Sequence, residues 1–143
     1  MTKTILIVED NELNMKLFND LLQAHGYDTL QTKDGHEAVA MTEEHHPDLI
    51  LMDISMPGID GFEACRCLKL NEVTNSIPII FISAQMEMAE IEKVFSHGGV
   101  DYLNKPFRQE EVLARVNAHL EIVKLRQEKE ELLQEVKMLK EKT

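Results

Sequence analysis

Three short apolar runs of this 143-residue chain, and one weaker strand-like segment, each lead to a residue that could do chemistry. Glu9 and Asp10 follow residues 5–8, Asp53 follows 49–52, Ser83 follows 79–82, and Lys105, with Pro106 behind it, follows 100–103. Three carboxylates, one hydroxyl and one ammonium at such positions have a coherent use. Carboxylates packed together repel one another, and a hard divalent cation that favours oxygen ligands and keeps waters, Mg²⁺ or Mn²⁺, relieves that repulsion. Asp10 and Asp53 are the natural direct ligands, with Glu9 acting through a water. Metal binding keeps Asp53 ionised and nucleophilic toward phosphorus. The metal and Lys105 would neutralise charge on transferring phosphoryl oxygens, and Ser83 could donate its hydroxyl to one of them. Each residue also has a plainer reading: Glu9-Asp10 as a helix N-cap pair, Asp53 as a turn cap, Ser83 as an ordinary serine, Lys105 as a surface-loop lysine. All four plain readings must hold together, at matching strand ends, for the chemistry to be absent.

The elements that position these residues are legible from pattern. Residues 5–8, 49–52 and 79–82 are continuous aliphatic runs, the mark of strands buried on both faces of a parallel sheet. Residues 28–32 and 100–103 are weaker strands. Between them, Leu13, Leu17, Leu21 and Ala24 recur at helical spacing before Gly26. Further helices are expected over 37–44, closed by Pro47, over 62–70, over 87–96, ended by Gly98-Gly99, and from about Gln109 nearly to the C-terminus. A β-α unit repeated five times predicts an α/β fold: a doubly wound, five-stranded parallel sheet of the flavodoxin-like kind with an extended C-terminal helix. Sites in such sheets lie at the carboxyl ends of the strands.

Composition narrows the classes. Hydrophobic residues are 43% of the chain, as in a folded domain, and the net charge of −11 argues against nucleic-acid binding. No run approaches the roughly 20 apolar residues of a membrane span, and residues 1–4 carry no leader pattern, so a cytoplasmic protein is expected. Cys65 and Cys67 are two apart on a helix, on different faces, and read as reduced thiols. The six histidines read as scattered surface residues.

Taken together, Glu9-Asp10, Asp53, Met56-Pro57-Gly58 through Asp60-Gly61, Ser83-Ala84 and Lys105-Pro106-Phe107 resemble the receiver domain of two-component response regulators over about residues 3–120. The resemblance implies a domain phosphorylated on Asp53 by a histidine kinase or a phosphotransfer protein, which catalyses its own phosphorylation and dephosphorylation without being a conventional enzyme. It also implies that the Ser55 main-chain carbonyl joins the metal ligands and that the Lys105-Pro106 peptide is cis. Ser83 and the aromatic Tyr102 become the switch that responds to phosphorylation, and Ser55 and Gln85 flank the path of the hydrolytic water. Residues 3–54 resemble single-domain cell-division regulators, whereas the later motifs resemble receivers attached to larger sensor or output proteins. A chimera with a junction near residues 48–57 is one expectation.

The last helix carries two patterns. Val112, Leu113, Val116 and Leu120 suit a core-facing side. Beyond them Ile122, Leu125, Leu132, Val136 and Leu139 fall on heptad positions a and d, with Lys129 a polar a residue. Glu121, Glu128 and Glu135 occupy g, and Arg126 and Lys140 occupy e. In a parallel pair Glu121 meets Arg126 of the other strand and Glu135 meets Lys140, both opposite in sign, while Leu133 at e widens the apolar seam. No proline or glycine occurs from Arg108 onward. The expectation is a receiver over 1–120 and a coiled-coil extension over 121–143 that makes a parallel homodimer, the start of a linker to an output module; a solvated single helix is the alternative. Two other functions fit less well. A phosphorylation-independent interaction module has no need of the intact acidic set. A flavin-binding protein or an aspartyl phosphatase would need a phosphate loop after the first strand, or a second acid where Ser55 stands.

Overall fold

The computed structural model describes residues 2–84 and 86–142. Five strands alternate with five helices: β1 (Thr4–Val8), α1 (Glu12–Ala24), β2 (Asp28–Thr32), α2 (Gly35–His45), β3 (Leu49–Asp53), α3 (Gly61–Leu70), β4 (Ile79–Ser83), α4 (Met88–Ser96), β5 (Asp101–Asn104) and α5 (Gln109–Glu141). All strand pairs are parallel, in the order β2-β1-β3-β4-β5. The chain reverses direction across the sheet between β1 and β3, which opens a crevice at their carboxyl ends.

The central strands are apolar at every position because each serves two cores. Ile5, Ile7, Leu49, Leu51, Ile80 and Ile82 meet Phe18 and Leu22 of α1 and Val112 and Val116 of α5. Their neighbours Leu6, Val8, Ile50, Met52, Ile79 and Phe81 face the other way, against Ala38 of α2, Phe62, Ala64 and Leu68 of α3 and Val94 of α4. The aliphatic runs were therefore a reliable signal of doubly buried strands. β2, at the sheet edge, is only partly covered, which is why its pattern was weak.

Three details differ from the sequence reading. The stripe Leu13, Leu17, Leu21, Ala24 is not the inner face of α1: Leu13, Leu17 and Ala24 are exposed, and the core is contacted by Met15, Phe18, Leu21 and Leu22. A second apolar line one position round the helix decided the matter by size, since Phe18 buries more area than a leucine could. The histidines are not uniformly superficial either. His119 is largely covered and pairs with Asp101 at 2.9 Å, and His97 packs against Phe62. Helix α2 is longer than the expected 37–44 because Asp34 caps it at His36 N–H and His46 ends it in the left-handed region. Cys65 is buried and Cys67 half-buried on α3, both free thiols.

Helix α5 runs unbroken for 33 residues, about 50 Å. Its first three turns lie on the receiver; beyond residue 123 every described residue is exposed. Among the described residues, no helix is long and apolar enough to cross a membrane.

Candidate phosphoacceptor site

The carboxyl edge of the sheet gathers the residues singled out above. Asp53 and Ser83 are the last residues of their strands, still paired in the ladder with Ile82 and Asn104. Glu9 follows β1, its N–H bonded to the Thr32 carbonyl at 3.1 Å. Gly61 sets the turn after Asp53: a Cβ there would stand 2.4 Å from the Asp53 carbonyl oxygen, so only a glycine lets α3 begin so close to the strand end. Lys105 is held by a cis peptide to Pro106, by its N–H on the Ser83 carbonyl at 2.9 Å, and by Phe107, which stacks on Phe18 of α1 with ring centres 4.1 Å apart.

The side chains converge. Lys105 Nζ donates to Asp53 Oδ2 at 2.7 Å and to Glu9 Oε1 and Oε2 at 2.8 and 3.2 Å. Glu9 is fully buried and Asp53 nearly so, while Asp10 is exposed at the rim. Asp53 Oδ1 accepts the Ser55 N–H at 3.0 Å. Burial, followed by the hydrogen bond with Asp53, pushes the Glu9 carboxyl up from its ordinary 4.5 to about 7. Burial works against the Lys105 charge, but its bonds to Asp53 and Glu9 outweigh it and the ammonium is held above its ordinary value. A carboxylate oxygen from each of Glu9, Asp10 and Asp53 lies within 4.8 Å of the others. This all-oxygen set beside a cleft of about 380 Å³ fits a hard divalent cation.

Asn14 was not anticipated. Asn11 caps α1, its Oδ1 accepting the Asn14 N–H at 2.9 Å. Asn14, at the third helical position where a side chain would ordinarily reach back to the cap, instead donates Nδ2 to Glu9 Oε1 at 3.0 Å. The Asn-Glu-Leu-Asn spacing after Glu9-Asp10 was the available signal. Ser55 and Ser83 line the same cleft. Tyr102 lies one strand away, its ring edge-on to Phe95 and 5.7 Å from the Arg115 guanidinium. Gln85 lies outside the described residues. Ile122, Leu125, Lys129, Leu132, Val136 and Leu139 are far from this edge, all exposed along the outer part of α5.

A 2-1-3-4-5 parallel sheet with an acidic cluster and a lysine at its switch-point crevice defines a flavodoxin-like fold with its candidate site at the carboxyl edge. The chain belongs to the response regulator receiver domain family, which matches residues 5–117. It is 43% identical over 120 residues to the polar-differentiation response regulator DivK of Brucella ovis, covering 84% of this chain and 98% of that one. A match of that length crosses the junction expected near residues 48–57. The receiver domain of a sensor histidine kinase from Pseudomonas aeruginosa, solved with a magnesium ion coordinated in its active site cleft, superposes with a TM-score of 0.78 at 32% identity, over 84% of this chain and 98% of that one. The receiver domain of a Francisella response regulator gives 0.77 at 28% identity over the same shares. Receiver domains are phosphoacceptor signalling domains that take their phosphoryl group from histidine kinases or phosphotransfer proteins.

Proposed function

We propose that this chain is a phosphorelay response regulator in which Asp53 accepts a phosphoryl group from a histidine kinase or phosphotransfer protein. The observation that carries this reading is the Lys105 ammonium held 2.7 Å from Asp53 and 2.8 Å from Glu9 beside a cluster of three carboxylates. In the transfer, an Asp53 oxygen forms the new bond to phosphorus as the bond from phosphorus to the donor imidazole nitrogen breaks, and the imidazole leaves with the bonding pair. Lys105 and the Ser83 hydroxyl neutralise and orient the phosphoryl oxygens. Asp10, Asp53 and the Ser55 carbonyl would hold Mg²⁺, with Glu9 engaged through a water; the cation supplies positive charge against the incoming phosphate. Hydrolysis by water restores the Asp53 carboxylate, and Ser55 and Gln85 set its rate.

The signal passes from Ser83 and Tyr102 to the rest of the domain. Residues 1–120 form the receiver and 121–143 a coiled-coil extension through which a parallel homodimer forms, in the cytoplasm. Exposure of the apolar seam Ile122, Leu125, Leu132, Val136 and Leu139, from 40% to 61%, supports a partner for that surface. Incubation with acetyl phosphate and Mg²⁺, read by intact mass, tests the chemistry. The parent gains one phosphoryl group and Asp53→Asn gains none; addition to Asp53→Asn would move the acceptor elsewhere, and no addition to the parent would sink the reading.

A further inference from the structure

Lys105 has no hydrogen to spare in the resting site. An ammonium carries three N–H groups, and those of Lys105 go to Asp53 Oδ2 at 2.7 Å and to Glu9 Oε1 and Oε2 at 2.8 and 3.2 Å. A phosphoryl group arriving on Asp53 brings oxygens that need this ammonium, so Lys105 must withdraw from Glu9 to reach them. That withdrawal is opposed. Glu9 is fully buried, and among the described residues Lys105 is the one cation bonded to it. A buried carboxylate with no other partner either follows its cation or holds it back.

Asn14 supplies that other partner. Its Nδ2 donates at 3.0 Å to Glu9 Oε1, the same oxygen that takes the shorter Lys105 bond. The backbone beneath it is fixed twice over. The Asn14 N–H is bonded to the Asn11 side chain at 2.9 Å, and the N–H of the buried Met15 to the Asn11 carbonyl at 2.9 Å. The amide therefore sits on the rigid first turn of α1, half-buried at the wall of the cleft that Asp53, Ser83 and Lys105 also line. Lys105 reaches Glu9 on a flexible four-carbon stem from the segment after β5. Glu9 Oε1 thus has one fixed neutral donor and one movable charged donor. Pinned by Asn14, the carboxylate does not turn after the ammonium, and it keeps a partner when the ammonium leaves.

We infer that Asn14 is a positioning residue that holds Glu9 in place while Lys105 passes from Glu9 to the phosphoryl group on Asp53. The inference rests on the phosphoacceptor reading above. Asn14 acts through Glu9 and Lys105 and takes no part in the bonds that change. With acetyl phosphate as donor, an Asp53 oxygen forms its bond to phosphorus as the bond from phosphorus to the acetyl oxygen breaks, and acetate leaves with the bonding pair. A freed Lys105 acts on the charge that develops in this transfer, so losing Asn14 lowers the rate at saturating Mg²⁺ and leaves the Mg²⁺ requirement in place.

Two measurements test it. Asn14→Leu removes the donor and keeps the branched shape, and Asn14→Ala removes it with a residue that suits a helix; either serves if the other fails to fold. Intact mass follows phosphorylation by acetyl phosphate across a Mg²⁺ series. Both variants lose about tenfold or more in rate at saturating Mg²⁺, the weight of one hydrogen bond to a charged group, with half-saturating Mg²⁺ within about threefold of the parent. The second readout is the Lys105 Cε resonance in carbon-labelled protein, assigned through Lys105→Arg. With Mg²⁺ and beryllofluoride, a phosphoryl mimic, this resonance shifts in the parent and moves less than half as far in the Asn14 variants. An unchanged saturated rate, a loss confined to half-saturating Mg²⁺, or a full Lys105 shift in the variants overturns the inference while leaving Asp53 as the acceptor. A parent that takes up no phosphoryl group overturns the phosphoacceptor reading and the inference with it.

Discussion

Replacing Glu9 by Gln removes a charge from a fully buried position while keeping the side chain's shape. The carboxyl titrates at 4.5 in the unfolded chain and at about 7 in the folded one, chiefly because burial disfavours its charge. Between those values the folded state holds a proton that the unfolded state has released, so stability falls as pH rises. The full difference is about 2.5 pH units, or roughly 3 kcal/mol at 1.36 kcal/mol per unit, and about 2 kcal/mol of it falls between pH 5.5 and 8. Titrating groups that do not interact with Glu9 add the same slope to both proteins and cancel in the comparison, while Lys105 and Asp53, which touch it, keep their charges across this range. Urea unfolding in the presence of a chelator, at pH 5.5 and pH 8, should show Glu9→Gln gaining about 2 kcal/mol on the parent from the lower pH to the higher, a midpoint shift of about 1 M at an ordinary urea dependence. The same pH dependence in both proteins would refute the claim that Glu9 is held at high pKa by burial, and with it the view that the acidic cluster costs stability until a cation arrives.

Lys105→Met leaves Glu9 and Asp53 without their shared cation, so at pH 8 it should cost about 3 kcal/mol in urea unfolding and slow phosphoryl uptake from acetyl phosphate in a mass-spectrometric time course. Gly61→Ala places a Cβ against the Asp53 carbonyl oxygen; a loss of about 2 kcal/mol or more is expected in thermal unfolding, with slower phosphorylation because the strand end must shift. Leu132→Asp puts a charge in the seam of each strand and should weaken the dimer at least a hundredfold by sedimentation, from the loss of two buried leucines at about 2 kcal/mol each, while leaving the far-ultraviolet spectrum of the receiver unchanged.

The strands that hold the site were legible because burial on both faces leaves an unbroken aliphatic run, and β1, β3 and β4 have one. Charged and hydroxyl residues just past the strands stand out against those runs, which is how Glu9, Asp10, Asp53, Ser83 and Lys105 were singled out. What failed to show was anything set by tertiary competition. Leu13 and Leu17 share a helical line as regular as that of Met15, Phe18 and Leu22, and only the packing chooses between the two. Asn14 was passed over because an asparagine near a helix start looks like part of a cap; its amide serves Glu9 only once β1 and α1 are placed together. His119 was read as a surface residue because Asp101, its partner, lies 18 residues away.

The length of α5 makes it a lever. The helix is anchored over its first turns by Val112, Val116 and Leu120 and then extends unsupported for about 20 residues, some 30 Å. A tilt of about 5° at the anchored end displaces the far end by about 2.6 Å, close to half the pitch of a helical turn. A rearrangement at the anchored end too small to disturb the packed sheet would thereby become a displacement that a partner held at the tip could register. The gain of that conversion is set by the count of residues between anchor and tip, so inserting or deleting turns of helix would change signal size without touching the chemistry at Asp53.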